Sequence, residues 1–245
     1  MKVDYTIYYS RYNQETEENQ RQVTDDYRQW LLPLLPKDTE TRVVDVGCGT
    51  GYALQALRVF GFTKLCGVEA DEGQANSCRA KGLDVELTAD TAAWLRSRPA
   101  VFDLALSFDV IEHVPVAAQL DFVAAIAAAL RPGGRFICRV PNANSSIAAR
   151  YRYNDWTHHA SFTEYSLDFL LQNAGFRDIK VLPVGDHRRP PKYWLPFLSG
   201  SRHWWTFKFF RLLRRLEMMA GLGPGQGRAV PLSLNILALA RRPGS

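Results

Sequence analysis

The chain has 245 residues, of which 47% are hydrophobic and 22% charged, with a formal net charge of +5. That length and apolar content suit one α/β domain with an appendage and exclude a chain that is disordered throughout. The opening stretch MKVDYTIYYSRYNQETEENQ lacks the apolar core of a secretory signal, no segment approaches the ~18 apolar residues of a spanning helix, and a cytoplasmic protein is expected.

In chain order, residues 1–40 are expected to form an N-terminal helical segment over the active site. Its helix runs from Glu15 to Leu35, with apolar positions at Val23, Tyr27, Trp30, Leu31 and Leu34, and ends at Pro36. A core over 41–184 follows. Val43 to Gly51 reads VVDVGCGTG, an apolar run breaking into Gly47, Gly49 and Gly51, which is the pattern of a buried strand turning into a helix where bare backbone approaches a ligand. The dinucleotide fingerprint wants a small residue where Tyr52 stands, and the Gly-Lys-Ser/Thr ending of a P-loop is absent. Helix-compatible residues fill Tyr52 to Phe60. A second strand from Lys64 ends at Glu69, placed to accept hydrogen bonds from ribose hydroxyls; a third, Leu83 to Ala89, ends at Asp90; a fourth, Phe102 to Phe108, reaches Asp109. Helices are expected over Gln74 to Lys81, Val116 to Leu130, and Glu164 to Ala174 with Thr163 as its cap, and strands over Arg135 to Val140, Ile179 to Val184 and Leu232 to Ala240. The four cysteines, Cys48, Cys66, Cys78 and Cys138, show no ligand spacing and read as reduced thiols.

Acids recurring where strands stop give the set its meaning. The chain resembles the class I S-adenosylmethionine-dependent methyltransferases, with DVGCGTG (Asp45 to Gly51) as their first motif, GVEAD (Gly67 to Asp71) as their second and LRPGGRF (Leu130 to Phe136) as their approach to strand five. The resemblance spans about Thr41 to Leu182. It implies a doubly wound Rossmann-like α/β fold, a mostly parallel seven-stranded sheet with one antiparallel strand and helices on both faces. By resemblance, Gly47, Gly49 and Gly51 line the methionine part of S-adenosylmethionine with Asp45 beneath, Glu69 holds the ribose and Asp90 the adenine amino group, and Cys48, Ala70, Thr91, Ser107 and Phe108 are further cofactor-binding positions. Strand-end capping is the alternative for Glu69 and Asp90.

Chemistry is expected around SFDVIEHVP, Ser107 to Pro115. The sulfonium already activates the methyl group, so the protein must align an acceptor and take a proton from a hydroxyl, a task suited to His113 with an unperturbed pKa of about 6.5. The stretch also resembles the ubiquinone-pathway O-methyltransferases, whose acid-x-x-Glu-His pattern implies a divalent metal such as Mg²⁺ on Asp109, Glu112 and His113; a helix-capping role for Glu112 and His113 stays open. WTHHASFT, Trp156 to Thr163, resembles the His-x-x-x-Phe-Thr lead of small-molecule and glycan methyltransferases, with His158 matching and His159 next to it. Either can serve as base, donor or structural histidine, and Tyr151, Tyr153 and Trp156 nearby offer flat surfaces to a sugar.

Residues 185–231 form a basic, aromatic insertion before the final segment 232–245. Arg188, Arg189, Lys192, Arg202, Lys208, Arg211, Arg214 and Arg215, with Arg228 beyond them, face only Asp186 and Glu217, so this segment carries more positive charge than the whole chain. Trp205, Phe209, Leu212, Leu213 and Leu216 follow helical spacing within 202–219. An anionic membrane surface, a lipid-linked substrate, or packing on the sheet or a partner all fit; no nucleic-acid recognition motif accompanies it, and no nucleic acid is expected. The resulting expectation is methylation of a hydroxyl on a glycan or lipid-linked glycan, with a quinone precursor or phenol as the alternative acceptor and a non-catalytic binding module as the alternative role.

Overall fold

A computed structural model describes residues 16–184 and 199–244. The apolar runs form β1 (Val43–Val46), β2 (Leu65–Glu69), β3 (Val85–Leu87), β4 (Phe102–Phe108), β5 (Leu130–Pro141), β6 (Arg177–Val184) and β7 (Asn235–Arg241). They assemble in the order β3-β2-β1-β4-β5-β7-β6. Strands β1 to β5 pair in parallel, and β7 lies antiparallel between β5 and β6, so β7 alone runs against the rest. All four residues of β1 are buried, as a central strand covered on both faces requires.

The alternation of side chains along the strands supplies two cores. Val44, Val46, Ala105, Phe136 and Val140 face one layer, with Phe122, Val123 and Ile126 of α5 (Val116–Ala129) and Leu167 and Leu171 of α7 (Glu164–Asn173). Val43, Leu104, Leu106, Ile137 and Leu237 face the other, with Tyr27 of α1 (Glu17–Trp30) and Ala53, Ala56 and Leu57 of α2 (Tyr52–Val59). The helix α3 (Glu72–Ala80) packs Ala75 and Cys78 against Leu54 and Val85 beside them. The expected helix over Glu15 to Leu35 ends earlier, at Trp30, and continues as a 3-10 turn, Leu32–Leu34, because Pro33 has no N–H to donate; Glu15 lies outside the described residues. Thr163 and Ser166 close a reciprocal capping box on α7.

Three short helices have no counterpart among the sequence expectations: α4 (Thr91–Arg96), α6 (Ala148–Asn154) and α9 (Pro224–Ala229). Each is under two turns, too short to show a period. The insertion contains α8 (Ser199–Leu222). Its inner side is tied by polar contacts: Arg214 Nε donates to the Asn144 carbonyl at 3.3 Å, and Arg215 Nη1 donates to those of Gly227 and Val230 at 2.7 and 2.6 Å. Trp205, Phe209, Leu212, Leu213 and Leu216 are exposed, so the apolar stripe does not pack on the sheet. Arg188, Arg189 and Lys192 lie outside the described residues. No described helix is long and apolar enough to cross a membrane.

Candidate active site

The turn between β1 and α2 sits at the carboxyl ends of the strands, where open α/β sheets bind ligands. Gly47 has φ +72°, and a Cβ there would come within 2.5 Å of Val110 Cγ2; at Gly51, with φ +85°, it would come within 2.4 Å of Leu83 Cδ1. Only glycine fits both the backbone and the space. Glu69, at the tip of β2, fastens this turn: Oε2 accepts from Gly49 N at 2.8 Å, while Oε1 accepts from Ala70 N at 2.8 Å and Asp71 N at 2.9 Å. One carboxylate therefore ties two successive βα turns together. Beneath them Asp45 is buried, and burial, reinforced by the negative charge of Glu69, pushes its carboxyl up to about 7.

Asp45, Gly47, Gly49, Glu69 and Ala70 line one half of a cavity of about 850 Å³. The other half is walled by Tyr27 and Trp30 of α1, Phe108, Asp109, Glu112, His113, Arg139, Tyr151, Asp155 and His158. Trp30 and Phe108 meet edge to face at 5.4 Å, and the Arg139 guanidinium lies 5.6 Å from each ring. Arg139 also forks onto Asp109, Nε to Oδ1 at 3.1 Å and Nη2 to Oδ2. Asp109 is left-handed at φ +58°, a conformation held from both sides, since its N–H donates to the Arg139 carbonyl at 2.9 Å.

Within this wall a hydrogen-bond chain follows from donor and acceptor chemistry. Thr157 Oγ1 donates to Asp155 Oδ1 at 2.6 Å, so toward His113 Nδ1, 2.8 Å away, the hydroxyl can only accept. Nδ1 of His113 therefore carries the proton and Nε2 the lone pair. His158 Nδ1 likewise donates to the Tyr151 carbonyl at 3.1 Å, and the two imidazoles meet edge to face at 4.5 Å. Burial, then the neighbouring His158, lowers His113 to about 4; burial lowers His158 as well. Glu112 is fully buried with no hydrogen-bond partner for either carboxylate oxygen among the described residues, and burial, then the charge of Asp109, raises it well above the usual carboxylate range. One ligand atom each from Glu112, His113 and His158 lies within 4.8 Å of the others.

The structure gathers Asp45, Gly47, Cys48, Gly49, Glu69, Ala70, Thr91, Phe108, Asp109, Glu112, His113 and His158 around one cavity. Asp90, Ser107, Gly51 and His159 do not line it. Asp90 is exposed and caps α4, accepting from Ala93 N at 2.9 Å. Ser107 is buried within β4, and Gly51 serves the packing of Leu83 and Cys78. His159 is exposed, its N–H given to the Glu112 carbonyl at 2.7 Å. The ligand set expected at Asp109, Glu112 and His113 differs as well: Asp109 is engaged by Arg139, and His158 stands in the cluster instead. Sequence reasoning passed over Arg139, a charge interrupting the apolar run FICRVP, and Asp155 with Thr157, two polar residues just ahead of the histidine pair.

A family model described as a methyltransferase domain matches residues 19–181, well over half of the chain. The ubiquinone biosynthesis O-methyltransferase of Dinoroseobacter shibae is 33% identical over 155 residues, covering 56% of this chain and 60% of that protein. A probable S-adenosylmethionine-dependent methyltransferase of Mycolicibacterium smegmatis is 31% identical over 142 residues, covering 58% and 54%. The match thus spans little more than half the length of these relatives. Among solved structures, a SAM-dependent methyltransferase from Archaeoglobus fulgidus superposes with a TM-score of 0.67 at 19% identity, over 96% of this chain and 99% of that one. Phosphoethanolamine N-methyltransferase 2 of Haemonchus contortus, solved with S-adenosyl-L-methionine, gives 0.57 at 19% identity over 99% and 60%. At these identities the superpositions speak for the fold. With its glycine turn, its strand order and a family match over most of its core, the chain belongs to the methyltransferase-domain family and has the class I fold of S-adenosylmethionine-dependent methyltransferases.

Proposed function

We propose that the chain transfers a methyl group from S-adenosylmethionine to a hydroxyl held against His113. The observation that carries this is the Asp155–Thr157–His113 hydrogen-bond chain, which opens onto the same cavity as Gly47, Gly49 and Glu69. The residues present fit the cofactor: two acids, Asp45 and Glu69, line the half of the cavity beside the glycine turn, and the cofactor brings a cationic methionine end and ribose hydroxyls. When bound, it supplies a methyl made electrophilic by the sulfonium. His113, neutral at pH 7, takes the hydroxyl proton on Nε2, and Asp155 through Thr157 holds the tautomer and favours the imidazolium that forms. Tyr27 and Trp30 of α1 cover the acceptor half and keep water from the reacting atoms.

A quinone precursor or other phenol is the acceptor class we favour. The flat wall of Trp30, Phe108 and Tyr27 suits a ring, and several relatives, that of Dinoroseobacter shibae among them, carry the name ubiquinone biosynthesis O-methyltransferase. Of the flat surfaces suggested for a glycan, Tyr151 lines the cavity, whereas Tyr153 and Trp156 are exposed and do not line it. A metal reading has its own observation, the Glu112, His113 and His158 cluster. Two imidazoles and one carboxylate favour a borderline transition ion over Mg²⁺, and such an ion would lower the pKa of the acceptor hydroxyl.

The test is transfer of radiolabelled methyl from S-adenosylmethionine into fractionated extract, with and without a chelator. His113→Ala is expected to lower transfer by about 10²–10⁴-fold while leaving cofactor binding intact. Label in the small-molecule fraction supports the phenolic acceptor, and label in lipid-linked glycan replaces it. Unchanged turnover by the variant would remove the base assignment, and loss of turnover on chelation would bring in the metal.

A further inference from the structure

The outward face of α8 is unlike the rest of the surface. Trp205, Phe209, Leu212, Leu213 and Leu216 follow one another at helical spacing and are all exposed, from 37% at Trp205 to 56% at Phe209. The helix is oriented by its arginines, Arg214 on the Asn144 carbonyl and Arg215 on those of Gly227 and Val230, and among the described residues its apolar arc stays exposed. Singly scattered apolar residues need no explanation, but a contiguous arc of this kind marks a contact surface.

Charge decides which surface it meets. Arg202 and Lys208 are exposed on the same outward side, and the helix holds five basic residues against one acid, Glu217, which is itself paired with Arg214 at 2.6 Å. The face therefore presents positive charge with no unpaired acid to oppose it. The basic groups also lie close to rings, Lys208 at 5.2 Å from Trp204 and Arg211 at 5.7 Å from Phe207, the arrangement of long cationic side chains reaching past an apolar belt. At 24 residues α8 is about 36 Å long, yet it is too charged to span a bilayer. A helix with a Trp, Phe and Leu face, basic flanks and modest overall hydropathy lies in the plane of the headgroups.

We propose that α8 docks on an anionic lipid surface, with the arc from Trp205 to Leu216 sunk to the boundary between headgroups and acyl chains and Arg202 and Lys208 on the phosphates. The chain is thereby a peripheral membrane protein whatever it methylates, since no residue of this surface belongs to the cavity.

The experiment is flotation of the full chain with vesicles of phosphatidylcholine alone and of phosphatidylcholine with phosphatidylglycerol in equal parts. The chain is expected to float with the anionic vesicles and to be released by salt. Leu212→Glu with Leu216→Glu places charge on exposed positions, so folding, checked by an unchanged melting temperature, is expected to persist while vesicle partition falls by about tenfold or more. Arg202→Glu with Lys208→Glu is expected to remove the preference for anionic lipid. Equal flotation of wild type and both variants, or none by wild type, overturns the proposal. So does a wild-type dimer in sedimentation that the leucine variant converts to monomer, because the face then belongs to a second copy of the chain. None of these readouts depends on methyl transfer, so the two proposals fail separately.

Discussion

Glu69 does two things with one carboxylate. It accepts three backbone N–H groups, from Gly49, Ala70 and Asp71, and it faces the cavity. Replacing it with Gln keeps the shape but turns one accepting oxygen into a donor aimed at a backbone N–H. Glu69→Gln is therefore expected to weaken cofactor binding by about 1–3 kcal/mol, read by calorimetry; unchanged affinity would leave Glu69 as a purely structural clamp. The acid was legible because it stands where an apolar run stops. Asp90 looks the same in sequence, and the structure places it outside the cavity lining, as the cap of α4. Arg139 was not legible at all: a charge in a buried strand acquires its meaning from Asp109, thirty positions earlier, which only the pairing of β4 with β5 brings alongside.

At the scale of elements, α1 closes the cavity that the sheet opens. Tyr27 and Trp30 reach over Phe108, and Asn19 Nδ2 ties the start of the helix to the Tyr52 hydroxyl at 2.9 Å. Removing the Trp30 ring takes away an aromatic contact worth about 1–1.5 kcal/mol, so Trp30→Ala is expected to raise the KM for acceptor by roughly tenfold, with cofactor affinity little changed in the same preparation. A fall in cofactor affinity instead would assign α1 to the other half of the cavity. The periodicity of α1 and α8 was visible in both segments, yet it identified only which residues share a face. Which face turns inward was decided in α8 by Arg214 and Arg215 finding carbonyl partners, a contest that hydrophobic spacing alone does not register. The short α4, α6 and α9 escaped for the simpler reason that fewer than two turns show no period.

For the molecule as a whole, the cavity links stability to pH and to ligand. Asp45 titrates at about 7 in the fold against 3.8 when free, so between these values the native state holds the extra proton, and this contribution to stability is lost as pH rises toward 7. A cationic ligand reverses the preference by favouring the ionised form. Cofactor held at one concentration, a hundred times its Kd at pH 7, is expected to add about 2.7 kcal/mol and raise Tm by roughly 5–10 °C at that pH, with a larger rise above pH about 7 than below it. A rise independent of pH, or one unaffected by Asp45→Asn, would detach Asp45 from the cofactor. The strand order carries a different consequence. Because β7 is wedged between β5 and β6, those two strands share no hydrogen bonds and the sheet has a slot until Asn235–Arg241 fills it. On a ribosome, β6 emerges before the strand that joins it to the rest, so the nascent chain waits with open edges on β5 and β6, and its vulnerability to misassembly is concentrated in that interval.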